Sequence, residues 1–220
     1  MSTWINVARY HLVNRLSYVL LPWALLAFVF AVNLIIGVAE GAGPNPTKAL
    51  AAIYVYFFAI GAFSISRSLP FGLALGVSRR SYYIGTAGLA LTLAVIYGLA
   101  LTGLQALERA TGDWGVSLHF FQVSYILAGP WYLTWLTSLT GLVLLFTYGM
   151  WFGLVHRRWG GTGLIVFVVG QITVVLAVEL TSGRNHAWPT LSAAGLTGVL
   201  AAVAAVLLAG GYAVIRRVRV

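Results

Sequence analysis

The sequence contains no cysteine and very little charge. The missing cysteine excludes disulfides, thiolate zinc sites and thiol catalysis. Charged residues make up 8% of the 220 residues and hydrophobic residues 60%, with a mean hydropathy of +0.93. A soluble domain carries about 25% charge, so this composition describes a single membrane-embedded domain with little outside the bilayer. Only four acids are present, and no full charge falls in the middle of an apolar run. A proton- or ion-coupled carrier keeps an ionisable group there, so that class is disfavoured. Catalytic sets are missing too. There is no Gly-x-Ser-x-Gly elbow, and the histidines at 11, 119, 156 and 186 have no metal-ligand spacing. The stretch Gly41-Ala-Gly-Pro-Asn-Pro-Thr-Lys48 lacks the Gly-Lys-Ser/Thr ending of a phosphate loop and carries two prolines. The chain is therefore read as no enzyme, with no metal and no cofactor of its own. His119 with Glu108 or Asp113 is the nearest thing to a metal or catalytic site, and ordinary interfacial polar residues are its commoner explanation.

Apolar runs fill most of the chain. Spans are expected at about 18–37, 49–66, 83–105, 131–152, 163–180 and 190–215, each long enough for a hydrocarbon core about 30 Å thick. Pro22 is expected in the first turn of its helix, where proline is tolerated. Residues 2–16 are amphipathic and read as a helix lying in the membrane interface, with Trp4 and Leu12 near its apolar spacing and Arg9 elsewhere. The segment 106–129 is mixed, and 118–127 reads as an interfacial or re-entrant helix. The fold class is all-α: an integral membrane protein of six transmembrane helices in one domain.

Charge sets the orientation. With both termini inside, ten of the thirteen basic residues fall in inner segments, and the acids Glu40, Glu108, Asp113 and Glu179 fall in or beside outer ones. This is the positive-inside pattern, reinforced by anionic inner-leaflet lipid. The net charge of +9 therefore calls for membrane lipid as a partner and for no nucleic acid.

The polar residues within the spans are neutral. Thr134, Thr137, Ser138 and Gly141 share one helical face, since residues three and four apart are neighbours. They read as helix–helix contacts, with a polar cavity as the rarer reading. The Gly-x-x-x-Gly pairs Gly37/Gly41, Gly72/Gly76 and Gly149/Gly153 are weak signals in a chain with 25 glycines.

The stretch from Arg67 to Tyr83 carries three arginines and no acid. Leu69-Pro70 predicts a helix start, and Gly76 predicts its stop. The short helix between them has room for about two turns and presents an apolar knob flanked by arginines.

Six spans with both ends inside, an amphipathic N-terminal helix and this inner loop resemble the compact six-span ABC type-2 (type V exporter) permeases. The Leu-Gly-Val-Ser-Arg-Arg core ending at Arg80 is similar to the coupling loop of short actinobacterial members. Trp114-Gly115 and Arg157-Arg-Trp-Gly160 are also familiar from that group. The resemblance implies the transmembrane permease subunit of an ATP-driven exporter in the bacterial plasma membrane. Mg-ATP would be bound by a separate ABC ATPase subunit, present in two copies, and a second permease, identical or paralogous, would complete the pathway. Leu69, Pro70, Phe71, Leu73, Leu75, Gly76, Arg79 and Arg80 would then be the ATPase-coupling element. Trp4, Arg9 and Leu12 would belong to the connecting helix, and Tyr54, Phe58, Gln171 and Val175 would line the pathway. One departure is visible: the longer outer segment lies between spans 3 and 4, not between spans 5 and 6. The alternative reading is a non-ABC multi-span protein, such as a sensor, an immunity protein or an assembly factor.

Overall fold

The computed structural model describes residues 16–40, 45–46, 50–115, 118–122, 129–182 and 192–215. A π-turn, Leu16–Leu20, leads into α1 (Leu21–Glu40). Helix α2 (Ala51–Phe63) passes through a second π-turn, Ser64–Ser68, into α3 (Leu69–Ala74). Then come α4 (Arg79–Ala110), α5 (Trp131–Ser182) and α6 (Ala193–Ile215). A two-residue parallel pair joins Asn45–Pro46 (β1) to Leu118–His119 (β2). Five helical stretches are long and apolar enough to cross a membrane, so the chain is all-helical in the manner of a multi-pass membrane protein. The expected connecting helix with Trp4, Arg9 and Leu12 lies outside the described residues.

The fifth helix holds 52 residues, about 78 Å at 1.5 Å per residue and far more than one bilayer crossing needs. It is broken at Gly160, where φ is 65° and ψ −159°, a backbone region that is essentially open to glycine alone. Two arms result, 131–159 and 161–182. They fold back on each other: the Tyr148 hydroxyl donates to Gln171 Oε1, and the Phe152 and Phe167 rings stand 5.3 Å apart.

Pro22 and Pro70 are each the second residue of an α-helix, Leu21–Glu40 and Leu69–Ala74, as expected, but each of these helices follows directly on a π-turn that ends two residues before the proline. A proline in a helix interior clashes with the carbonyl four residues back and offers it no N–H, and a π-turn absorbs such a fault. The carbonyl left over is met by a side chain from another helix. Tyr18 O, four before Pro22, accepts from the Tyr97 hydroxyl at 3.0 Å. Ser66 O, four before Pro70, accepts from Arg157 Nη1 at 3.5 Å. Two further tyrosines donate to the π-turns, Tyr56 to Ser17 O at 2.8 Å and Tyr82 to Ser64 O at 2.5 Å, the latter oxygen also accepting from Leu69 N–H.

These contacts also fix the depth of α1. A first span entering beside the arginines would set Tyr18 against Tyr83. Tyr18 lies instead against Tyr97, 18 residues into α4 and about 27 Å from Arg79 along the helix. Trp23 stacks on Tyr97 at 5.0 Å, and Phe30 meets Trp114 at 4.9 Å. The first helix is thus shifted toward the end of the bundle opposite the arginines, with the Tyr97 hydroxyl donating to Tyr18 O and Val19 O at its start.

Interhelical hydrogen bonds in membranes average well under 1 kcal/mol and reach about 1.7 kcal/mol. Tyr97→Phe is expected near the top of that range, because Tyr97 is nearly inaccessible and its hydroxyl also reaches Val19 O at 3.2 Å. Pro22→Ala supplies the N–H that proline lacks. In a double-mutant cycle, unfolding titrations in mixed micelles should therefore find Tyr97→Phe costing at least half as much again in the native background as in Pro22→Ala. Equal costs in both backgrounds would remove the repair argument.

The core lies where α2 crosses the first arm of α5. A Cβ on Gly61 would overlap the Phe146 carbonyl oxygen, and one on Gly149 would overlap that of Phe58. At Gly153 it would meet Ala62 O and Ile65 Cβ, each at 2.8 Å. Backbones therefore touch, as small residues permit. Ile53, Phe57, Leu142, Phe146, Met150 and Leu154 close around the crossing, all nearly inaccessible. Thr134, Thr137 and Ser138 are buried as well, and Thr137 Oγ1 lies 2.6 Å from Thr197 Oγ1 on α6. Their face is a helix–helix contact.

Candidate functional site

Three places gather chemistry. The first is the arginine end, around α3. Helix α3 stops in a Schellman turn, with Gly76 N–H bonded to Leu73 O at 3.0 Å and Val77 N–H to Gly72 O at 3.1 Å. Gly76 sits at φ 80°, which glycine adopts without steric cost. Ser78 then caps α4, its Oγ accepting from Ser81 N–H at 3.1 Å. The expected coupling residues divide by exposure. Phe71 (52% exposed), Leu75 (64%), Gly76 and Arg80 face outward, whereas Leu69 is buried. Pro70, Leu73 and Arg79 are half-buried, with Leu73 packed on the core. The expected short helix is present as Leu69–Ala74; it follows directly on α2 through the π-turn, and Phe71 and Leu75 protrude from it.

Arg79 and Arg80 are the first two residues of α4, not members of the loop before it. Cations at a helix N-terminus oppose the helix dipole, at about 0.3–1 kcal/mol each when exposed. Arg67 lies over Phe63 at 4.9 Å and Arg158 over Trp159 at 4.7 Å. Together with Arg157 on Ser66, five arginines gather at this end. Glu108 and Asp113 lie at the other end, by the last turn of α4.

The second place is a groove beside the second arm of α5. It is lined by Tyr148, Val166, Phe167, Gly170, Gln171, Val174 and Val175, has a volume near 660 Å³ and is open along one side. Of the four expected pathway residues, Gln171 and Val175 line it. Phe58 supports it from behind, packing on Tyr148 at 5.8 Å and on Phe152 at 5.0 Å. Tyr54 does not reach it: its ring lies over Gly141, across the first arm. The residue that organises the groove, Tyr148, was not singled out in the sequence, where nothing marks it among eleven tyrosines.

The third place is a cap at the far end of α4. The Glu108 carboxylate is fully buried, and no lysine or arginine pairs with it among the described residues. Its Oε2 accepts from Trp114 Nε1 at 3.1 Å, Phe120 N at 3.2 Å and Phe121 N at 2.8 Å, and its Oε1 from Gln122 N at 3.2 Å. Four N–H donors thus take the place of water around the charge. Asp113 and His119 are alongside, with His119 Nδ1 at 3.5 Å from Asp113 Oδ1 and Gln122 Nε2 at 2.8 Å from the same oxygen. Ligand atoms of Glu108, Asp113 and His119 lie within 4.8 Å of one another, so the structure brings together the trio that the sequence only suggested. Both Glu108 oxygens already accept N–H bonds, and the carboxylate serves as the staple of the cap. Of the helix expected over 118–127, the first five residues are corrected here: 118–122 are a strand pair and a bend, with the amides of Phe120, Phe121 and Gln122 turned onto Glu108, and 123–127 lie outside the described residues.

A comparison with protein-family models, curated proteins and solved structures finds no match.

Proposed function

We propose that the chain is the membrane-spanning permease subunit of an ATP-driven exporter, coupled at its arginine end to a separate ATPase. In this reading it crosses the membrane six times, the two arms of α5 counting as two spans, with both termini inside. The observation that carries it is the tip of α3. Phe71 and Leu75 are exposed apolar side chains, held by a Schellman turn and a serine cap and ringed by arginines. Lipid headgroups alone do not call for such a rigid apolar projection. A protein partner with an apolar socket and acidic rim suits it. Arg80, exposed at the start of α4, works against its dipole, and an acidic partner offsets that cost. ATP binding on the partner would push this tip, and packed helices would transmit the push as rigid bodies. A second permease, identical or paralogous, would complete the pathway.

The test is a pull-down from native membranes. The native chain should bring down a nucleotide-binding subunit. Phe71→Asp, and separately Arg79→Glu with Arg80→Glu, should lower its recovery at least tenfold while the chain still inserts. Recovery of no ATPase under mild detergent, or equal recovery with the tip variants, would overturn the assignment.

A further inference from the structure

The groove in the second arm contains an unmet polar group. Tyr148 donates to Gln171 Oε1. Gln171 makes no other hydrogen bond among the described residues, so both N–H groups of its amide are open. Gln171 stands eleven residues from Gly160 and eleven from Ser182, about 16 Å from either end of its arm. On the reading of this arm as a membrane span, which the inference rests on, the amide lies at the middle of the hydrocarbon core. Polar groups there must find partners. Phospholipid tails offer no acceptor, since they are as apolar as leucine. Water needs several polar partners to settle, and apart from Tyr148 and Gln171 the lining residues Val166, Phe167, Val174, Val175 and Gly170 have only apolar side chains or none. None of the seven is an acid or a base.

We infer that the groove beside Gln171 is a binding site for a neutral, elongated molecule that carries a hydrogen-bond acceptor within an apolar body. Its apolar length lies along Val166, Phe167, Val174 and Val175. Its acceptor, a carbonyl, ether or hydroxyl oxygen, receives the Gln171 N–H groups. A charged ligand is excluded by the cost of holding a charge in an apolar site. Gly170 forms part of the floor, and a Cβ built there meets nothing within 4 Å, so a larger side chain at 170 fills the groove without disturbing the protein around it. Within the proposed function, this deepens the pathway assignment by naming the chemical class of what is carried.

The experiment uses the full chain purified into lipid nanodiscs without any ATPase. The probes are a long-chain ketone bearing an alkyl diazirine and the matching alkane diazirine. After photolysis, mass spectrometry maps the labelled residues. The ketone should label residues 166–175 in preference to other lipid-facing positions, and the alkane should show no such preference. Gln171→Leu should lower ketone labelling of the groove about tenfold, the value of one hydrogen bond in apolar surroundings, and leave the alkane pattern unchanged. Gly170→Trp should empty the groove of both probes. Unchanged labelling at the exposed face of α1, Phe28 and Ile35, verifies insertion of each variant. Identical ketone and alkane patterns overturn the inference, as does ketone labelling indifferent to Gln171→Leu. Crosslinks joining two copies through 166–175 also overturn it, since a second copy then covers the groove. The pull-down result is independent: loss of the ATPase with selective labelling intact removes the exporter and keeps the site, and the converse removes the site alone.

Discussion

Glu108→Leu is expected to unfasten the cap and to cost about 4 kcal/mol, the range for breaking a buried charged network by removing one partner. The side chain is fully buried, and its two oxygens hold four N–H donors. Leucine fills similar space and leaves those donors without acceptors. Each buried donor so stranded costs about 1–3 kcal/mol, less whatever water recovers once the cap opens. The helices are not the casualty, because α4 ends at Ala110 and the core crossing is remote. The signature is therefore local: a red-shifted Trp114 emission and new protease cleavage between 111 and 122, with helical content in the far ultraviolet retained. Glu108→Gln keeps one acceptor oxygen and should lose about half as much. If Glu108→Leu leaves Trp114 emission and proteolysis unchanged, the carboxylate is not the staple of the cap.

The second large effect belongs to the crossing of α2 and the first arm of α5. Gly149→Ala adds one methyl group. That methyl would sit on the Phe58 carbonyl oxygen, with Ala62 N only 2.9 Å away. Both neighbours are backbone, so no rotamer change relieves the overlap and the helices must move apart. Overpacking of this kind costs about 1–3 kcal/mol, and the upper end applies because separation also loosens Gly61 and Gly153. Gly103→Ala is the control. Its Cβ meets nothing within 4 Å, and alanine gains about 1 kcal/mol over glycine in a helix interior. Unfolding in mixed micelles should thus move in opposite directions for two chemically identical changes. The same sign at both positions would mean that the close crossing is not what glycine secures here.

Much of the architecture was legible in the sequence because apolar length is a strong signal and membrane crossing demands it. The stop at Gly76 was legible too, since a glycine placed after a short apolar helix has few other uses. What was not legible depended on partners far along the chain. The π-turns ahead of Pro22 and Pro70 were not legible, because a proline's own sequence neighbourhood does not reveal that Tyr97 and Arg157 donate to the carbonyls behind them. Gly149/Gly153 could not be told from chance glycine pairs until Gly61 was seen opposite. Glu108 looked like an ordinary interfacial polar residue, because amides at Phe120 to Gln122 carry no sequence mark of where they point. Gln171 was named as a pathway residue on resemblance alone, and Tyr54 with it. The structure places the first in the groove and the second outside it.

The proline repairs bear on the order in which the protein is made. A proline near the start of a membrane helix offers no N–H to the carbonyl behind it. The Tyr97 hydroxyl that donates to Tyr18 O comes 79 residues later, and the Arg157 guanidinium that donates to Ser66 O comes 91 residues later. The early helices are therefore expected to gain these contacts only after the donors have emerged from the ribosome. A truncation that ends before Tyr97 should be handled by the cell as an orphan and degraded, however apolar its helices are.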